Sequence, residues 1–197
     1  METFYSPLPQ YSLNTDATYH RPRQELPDSV TLDSPALFVM TDLRRVPAVT
    51  IEPGAPLRSV LKKMGCEDVH LLLVTDPGHR VLGLITSTEV MGEKPVRFLE
   101  QGGGTYDDIL VQHIMTPRER LEVLLMEDVL KSKVGHIVAT LRRASRRHAL
   151  VVDVDPKTKG ETIRGIISSS QIKRQLGTDV DIDHAARRVA ALGTANA

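Results

Sequence analysis

Gly83-Leu84-Ile85-Thr86-Ser87-Thr88-Glu89 has a second copy in this chain, Gly165-Ile166-Ile167-Ser168-Ser169-Ser170-Gln171. Each copy follows a β-like run (Val81-Leu82; Ile163) and precedes a helix-like one (Val90-Met91; Ile172 and Leu176), so each reads as a strand-to-helix corner. The glycine leaves room for another backbone or a ligand. The small hydroxyl residue falls where the first free N–H groups of the helix point outward. Such a corner suits a phosphate, because exposed N–H groups and the helix dipole both favour an anion. The residue three positions on, Glu89 or Gln171, faces the same way and can accept from sugar hydroxyls. The plainer alternative is that Thr86 and Ser168 are helix caps and nothing more; the duplication shifts the balance towards a shared task.

Outward from the corners, the two halves correspond element by element. Met40-Thr41 matches Met115-Thr116, and the short strand Val46 to Ile51 matches Leu121 to Leu125. Leu57, Val60, Leu61 and Met64, with Pro56 as a first helical residue, form one apolar helix face; Val134, Ile137, Val138 and Leu141 repeat it. Leu71 to Asp76 matches His148 to Asp153, and each is followed by a turn and a strand into its corner. The order β-α-β-β-α therefore occurs twice, as an internal duplication. The expected division is an irregular extension over 1–35, a first repeat over 36–92, a linker with a short helix over 93–112, a second repeat over 113–177 and a tail over 178–197. Pro95 and Gly102-Gly103-Gly104 mark the linker as a flexible connection, Tyr106 to Ile114 reads as its helix, and Asp179 to Leu192 could add a C-terminal helix.

The repeat resembles the cystathionine-β-synthase (CBS) domain, and the tandem resembles the CBS pair called a Bateman module. Ile114-Met115-Thr116-Pro117, His148 to Asp153 and the two corners carry the resemblance, which covers roughly Leu37 to Gly177. It implies an α/β (α+β) fold of two CBS repeats packed about a pseudo-two-fold axis with clefts between them. It further implies a homodimer, and a ligand such as AMP, ADP, ATP or S-adenosylmethionine held non-catalytically while a partner protein reads the occupancy. In the family pattern the hydroxyl residue, here Thr86 or Ser168, meets the phosphate and an Asp three positions later holds the ribose. This chain has Glu89 and Gln171 there. Glu89 keeps the charge, and a charged acceptor bonds about twice as strongly as a neutral one, so the first site is expected to bind better. Gly83 and Gly165 are the expected points of close backbone approach.

Composition limits the alternatives. The formal net charge is zero with pI near 7.1, so no global basic field attracts nucleic acid or anionic membrane. The single Cys66 forms no intrachain disulfide and has no zinc-ligand spacing around it, in keeping with a cytoplasmic protein. No apolar stretch approaches the ~20 residues of a membrane span, and the amino terminus lacks signal-peptide features. Four of the seven aromatic residues (Phe4, Tyr5, Tyr11, Tyr19) lie in the proline-rich extension, so the core is expected to be aliphatic and the extension to lie on its own domain or on a second subunit. Arg118, Arg120, Arg142, Arg143, Arg146 and Arg147 read first as a solvated face; the alternative is that Arg118, or one of Arg146 and Arg147, reaches a ligand phosphate. No paired acid and base, nucleophile with a base, or metal triad emerges, so no catalytic or metal residue is assigned. Against the ligand reading stands a scaffold or oligomerisation protein whose clefts have lost their ligand.

Overall fold

The structure, a computed structural model, describes residues 9–12, 14, 15, 17, 18, 24–102 and 104–177. In chain order the elements are β1 (Met40–Asp42), β2 (Thr50–Ile51), α1 (Arg58–Glu67), β3 (Leu71–Thr75), β4 (Val81–Thr86), α2 (Ser87–Met91), α3 (Lys94–Gly102), α4 (Val111–Ile114), β5 (Thr116–Pro117), β6 (Val123–Leu125), α5 (Met126–Lys131), α6 (Val134–Ala144), β7 (His148–Val154), β8 (Glu161–Ser168) and α7 (Ser169–Leu176). They form two sheets, ordered β2-β3-β4-β5 and β1-β8-β7-β6. The duplication is reproduced in detail. α1 and α6 both end on a left-handed residue, Asp68 (φ 52°) and Ser145 (φ 51°), and both hairpins carry an irregularity at the same place, after Val74 and after Val151.

Each sheet borrows its last strand from the other half of the chain. β1 pairs antiparallel with β8, Asp42 opposite Gly165, and β5 pairs with β4, Pro117 opposite Gly83. The corner glycines make this exchange possible. A Cβ on Gly83 would stand 2.4 Å from the Thr116 carbonyl oxygen, and one on Gly165 would stand 2.6 Å from Met40 Sδ. The close approach expected at these glycines is therefore made by backbone and side chain of the exchanged strands. Gly83→Ala is expected to cost about 1–3 kcal/mol in urea unfolding, the usual range for overpacking. Gly165→Ala should cost somewhat less, because its nearest atoms belong to the Met40 side chain and the nearest backbone oxygen, of Thr41, stands at 3.0 Å against 2.4 Å for Thr116. The reverse order would show that β5 is the looser of the two.

The second sheet fixes its borrowed strand with charge as well. Arg164 on β8 donates from Nε to Asp42 Oδ1 (2.8 Å), from Nη2 to Asp42 Oδ2 (2.9 Å) and from Nη1 to Asp153 Oδ2 (3.2 Å). The Asp42 and Arg164 side chains are only 12% and 16% exposed. Those bonds, with the Arg44 N–H, hold the Asp42 carboxyl at about 2, below its ordinary 3.8, and push the Arg164 pKa up. By the strand register the first sheet has Pro117 and Leu82 at the matching positions.

Three aliphatic clusters make the core, one under each repeat and one between the sheets around Leu71, Leu73 and Leu150. From Gln24 onward the extension packs on the second repeat, whereas the described residues before it are exposed, Tyr11 at 88%. The Gln24 amide donates to Met40 O (3.0 Å) and accepts from Asp42 N (2.6 Å), so it covers the free edge of β1. The Gln175 side-chain amide nitrogen, in a residue 3% exposed, donates to Pro27 O and Phe38 O, and the Gln175 backbone oxygen accepts from Val30 N. Val30 is part of that core. Removal of residues 1–35 should therefore destabilise the protein by about 2–4 kcal/mol, from one buried valine and several hydrogen bonds. Thermal unfolding of the truncated chain checks this, and an unchanged transition would contradict it. Phe4, Tyr5, Tyr19 and the possible helix Asp179 to Leu192 lie outside the described residues.

Several local expectations are corrected. The linker contains the nine-residue helix α3, with Pro95 in its first turn, where a missing N–H costs nothing. Pro56 is not helical: α1 starts at Arg58, because the chain around Pro56 pairs with the linker, Leu57 N to Ile109 O and Val111 N to Ala55 O. The same pairing breaks the expected Tyr106 to Ile114 helix into a 3-10 turn (Tyr106–Asp108), an extended stretch and α4. The strands over Val46 to Ile51 and Leu121 to Leu125 shorten to β2 and β6, and Leu61 on the α1 face is 40% exposed.

Candidate functional site

Exchange of strands puts residues of both repeats into one cleft of about 360 Å³. The first repeat supplies Leu84, Thr86, Thr88 and Glu89; the second supplies Thr116, Leu121, Glu122, Ser145, Arg146, Arg147, His148 and Leu150. Its volume is in the range of small-molecule sites.

The corner is tightly knit. Thr86 caps α2: its Oγ1 accepts from Glu89 N (3.4 Å) while Glu89 Oε2 accepts from Thr86 N (2.9 Å), a reciprocal capping box. Glu89 Oε2 also accepts from Thr86 Oγ1 (3.2 Å), and Oε1 accepts from Thr116 Oγ1 (2.5 Å) and Lys94 Nζ (2.6 Å). Lys94 donates in addition to Ile114 O (3.1 Å). Glu89 thus accepts from two hydroxyls, as its chemistry allows, and both belong to this chain. Its carboxylate joins α2, α3 and the borrowed strand β5 instead of standing open. α2 has only five residues, and Glu89 already takes the Thr86 N–H, so the helix end offers an anion little.

Cationic groups come from the other repeat. Arg146 and Arg147 follow the left-handed Ser145, which turns the chain from α6 into β7 beside the corner. Arg146 Nη2 lies 3.2 Å from Glu122 Oε2 across the cleft wall. Arg118, the other arginine considered for a phosphate, is exposed, donates to Glu119 (3.0 Å) and is not part of the cleft wall. His148 is half-buried beside them. Burial first, then the charges of His70 and Arg147, hold its pKa at about 4, with Glu89 opposing. The imidazole is therefore neutral at neutral pH.

The pseudo-symmetric counterpart is a groove of about 470 Å³. Matching hydrogen bonds fix the correspondence: Ser87 N to His70 O repeats as Ser169 N to Arg147 O, and Val69 N to Met64 O as Arg146 N to Leu141 O. Val69 therefore stands for Arg146, His70 for Arg147 and Leu71 for His148; Val49 stands for Glu122 and Thr41 for Thr116. Val69, Leu71 and Val49 line the groove where Arg146, His148 and Glu122 line the first cleft, so these charged or titratable positions are apolar there, while Lys63 and Glu67 from α1 also line it. Ser168 caps α7, accepting from Gln171 N (3.1 Å), and the Gln171 amide oxygen accepts from Arg174; neither residue lines this groove. The sequence singled out Thr86 and Glu89, which line this first cleft, but Thr116 joins them only through the strand exchange, and Glu122 and Ser145 only through the packing of the two repeats.

Residues 39–95, which hold β1 to α2 and the first corner, match the family model of the CBS domain. The first repeat is a CBS domain. The second half repeats the element order of the first, and the fold as a whole is shared with solved structures. A conserved protein from Pyrococcus horikoshii superposes with a TM-score of 0.51 at 21% identity, over 73% of this chain and 92% of its own. A protein with CBS domains from Burkholderia ambifaria gives 0.50 at 17%, over 68% and 85%. The CBS-pair protein CBSX2 of Arabidopsis thaliana, solved in complex with AMP, gives 0.47 at 16%, over 80% and 98%. No curated protein sequence matches the chain. Among the described residues of this CBS protein, no helix is long and apolar enough to cross a membrane, and no group of three or more His, Cys, Asp or Glu is placed to hold a metal ion.

Proposed function

We propose that this CBS protein is a non-catalytic sensor that binds an adenosine-containing ligand in the first cleft and signals its occupancy to a partner protein in the cytoplasm, as a homodimer. The observation that carries the reading is the meeting of Arg146 and Arg147 from one repeat with Thr86, Thr88 and Thr116 around the corner of the other. Guanidinium groups present paired donors to a phosphate. Leu84, Leu121 and Leu150 offer an apolar wall to a base, and the threonine hydroxyls are within the same space for a sugar. Glu89 acts in this reading as the group that holds the corner and β5 together. A ligand shifts the arrangement of the two repeats only through its differential affinity for two states, and a cleft built from both repeats is where such a difference arises.

The test is thermal unfolding with AMP, ADP, ATP, GTP, S-adenosylmethionine and NAD. A ligand at ~100 times its dissociation constant stabilises by ~2.7 kcal/mol. A selective shift with an adenine ligand supports the sensor. No shift with any of them favours the second reading, a ligand-free scaffold or oligomerisation protein. That reading draws its support from Glu89, whose acceptor positions are already taken within the chain.

A further inference from the structure

His148 lines the first cleft at the start of β7, and no other imidazole lines it. Arg147 precedes it, His70 approaches from the chain before β3, and Glu89, itself held by Lys94, faces it from α2; Glu122 and Arg146 stand on the same wall. Its counterpart in the matching groove is Leu71, so at this position the imidazole belongs to the cleft that carries the arginines.

We propose that His148 determines which charge state the cleft accepts, by taking up a proton when a phosphate-bearing ligand binds and donating it to the phosphate oxygens. The inference rests on the reading of this cleft as a phosphate-ligand site. Without a ligand, burial above all, with the Arg147 guanidinium beside it, keeps the proton off. A phosphate dianion placed among Arg146, Arg147 and His148 reverses the local field, and an imidazolium then gains both a charge partner and a hydrogen bond. A neutral or cationic ligand provides neither. The cleft would therefore favour phosphate esters over S-adenosylmethionine increasingly as pH falls.

The experiment is calorimetric titration of the full chain with AMP in two buffers of different ionisation enthalpy, for wild type and His148→Gln. Wild type should show buffer-dependent heats beyond those of the variant. Its AMP affinity should also steepen relative to the variant on going from about pH 7.5 to about 6, by up to about tenfold per pH unit for one proton. NMR of the His148 ring in the wild-type protein needs no substitution, and AMP should move its titration to higher pH. AMP binding with equal buffer dependence in both proteins, or an unmoved ring titration, would overturn the proposal while leaving the ligand reading intact. No AMP binding at either pH would remove the ligand reading and this inference with it.

Discussion

Asp42→Ala is expected to lower the melting temperature by about 6–12 °C. The substitution leaves Arg164 with Asp153 alone and unties β1 from β8. Breaking a buried pair from one side costs about 3–5 kcal/mol, and the remaining partner argues for the lower end. A chain of this size loses about 2–4 °C per kcal/mol. The pH dependence has a definite sign. The folded carboxyl titrates at about 2, below its ordinary 3.8, so its contribution is complete above about 4 and is lost as pH falls towards 2. Wild type and variant should therefore converge in strong acid. Calorimetry from about pH 7 down to 2 reads both effects; a difference below 1 °C at neutral pH would show that solvent, not Asp42, satisfies Arg164.

Replacing Arg146 and Arg147 together with alanine should abolish detectable AMP binding, and each single replacement should weaken it by about 10- to 100-fold. The estimate follows from the ~1.5–3 kcal/mol of a hydrogen bond to a charged group, at 1.4 kcal/mol per tenfold. Arg118→Ala, a change on an exposed turn outside the cleft, should leave AMP affinity within about twofold, as a surface residue away from the site does. A loss at Arg118 as large as at Arg147 would place the phosphate elsewhere.

The duplication, the aliphatic core and the corners were legible because they depend on periodicity and on strings of residues that repeat. The exchange of β1 and β5 was not. Strands of two or three residues are too short for a period to register, and their partners lie far away in sequence, Asp42 with Gly165 and Thr116 with Leu84. The Asp42–Arg164 pair was hidden for the same reason. Pro95 and the glycines suggested a linker, yet proline is tolerated in the first turn of a helix, and Phe98 and Leu99 pack the remainder of α3 onto the first core. In the site, Thr86 and Glu89 were placed by local sequence and do line the cleft. Their hydrogen bonds depend on Thr116 and Lys94, which reach the corner only through the fold. That Arg146 and Arg147 line a cleft instead of an open solvated face follows from geometry; of their counterparts Val69 and His70, only Val69 lines the matching groove.

Strand exchange leaves one cleft with Arg146 and Arg147, proposed above for a phosphate-bearing ligand, and one matching groove without arginines. Calorimetric titration with AMP measures this directly through its stoichiometry. The account predicts one AMP per chain, lost in the Arg146→Ala, Arg147→Ala double variant. Two per chain, or binding that survives the double variant, would contradict it.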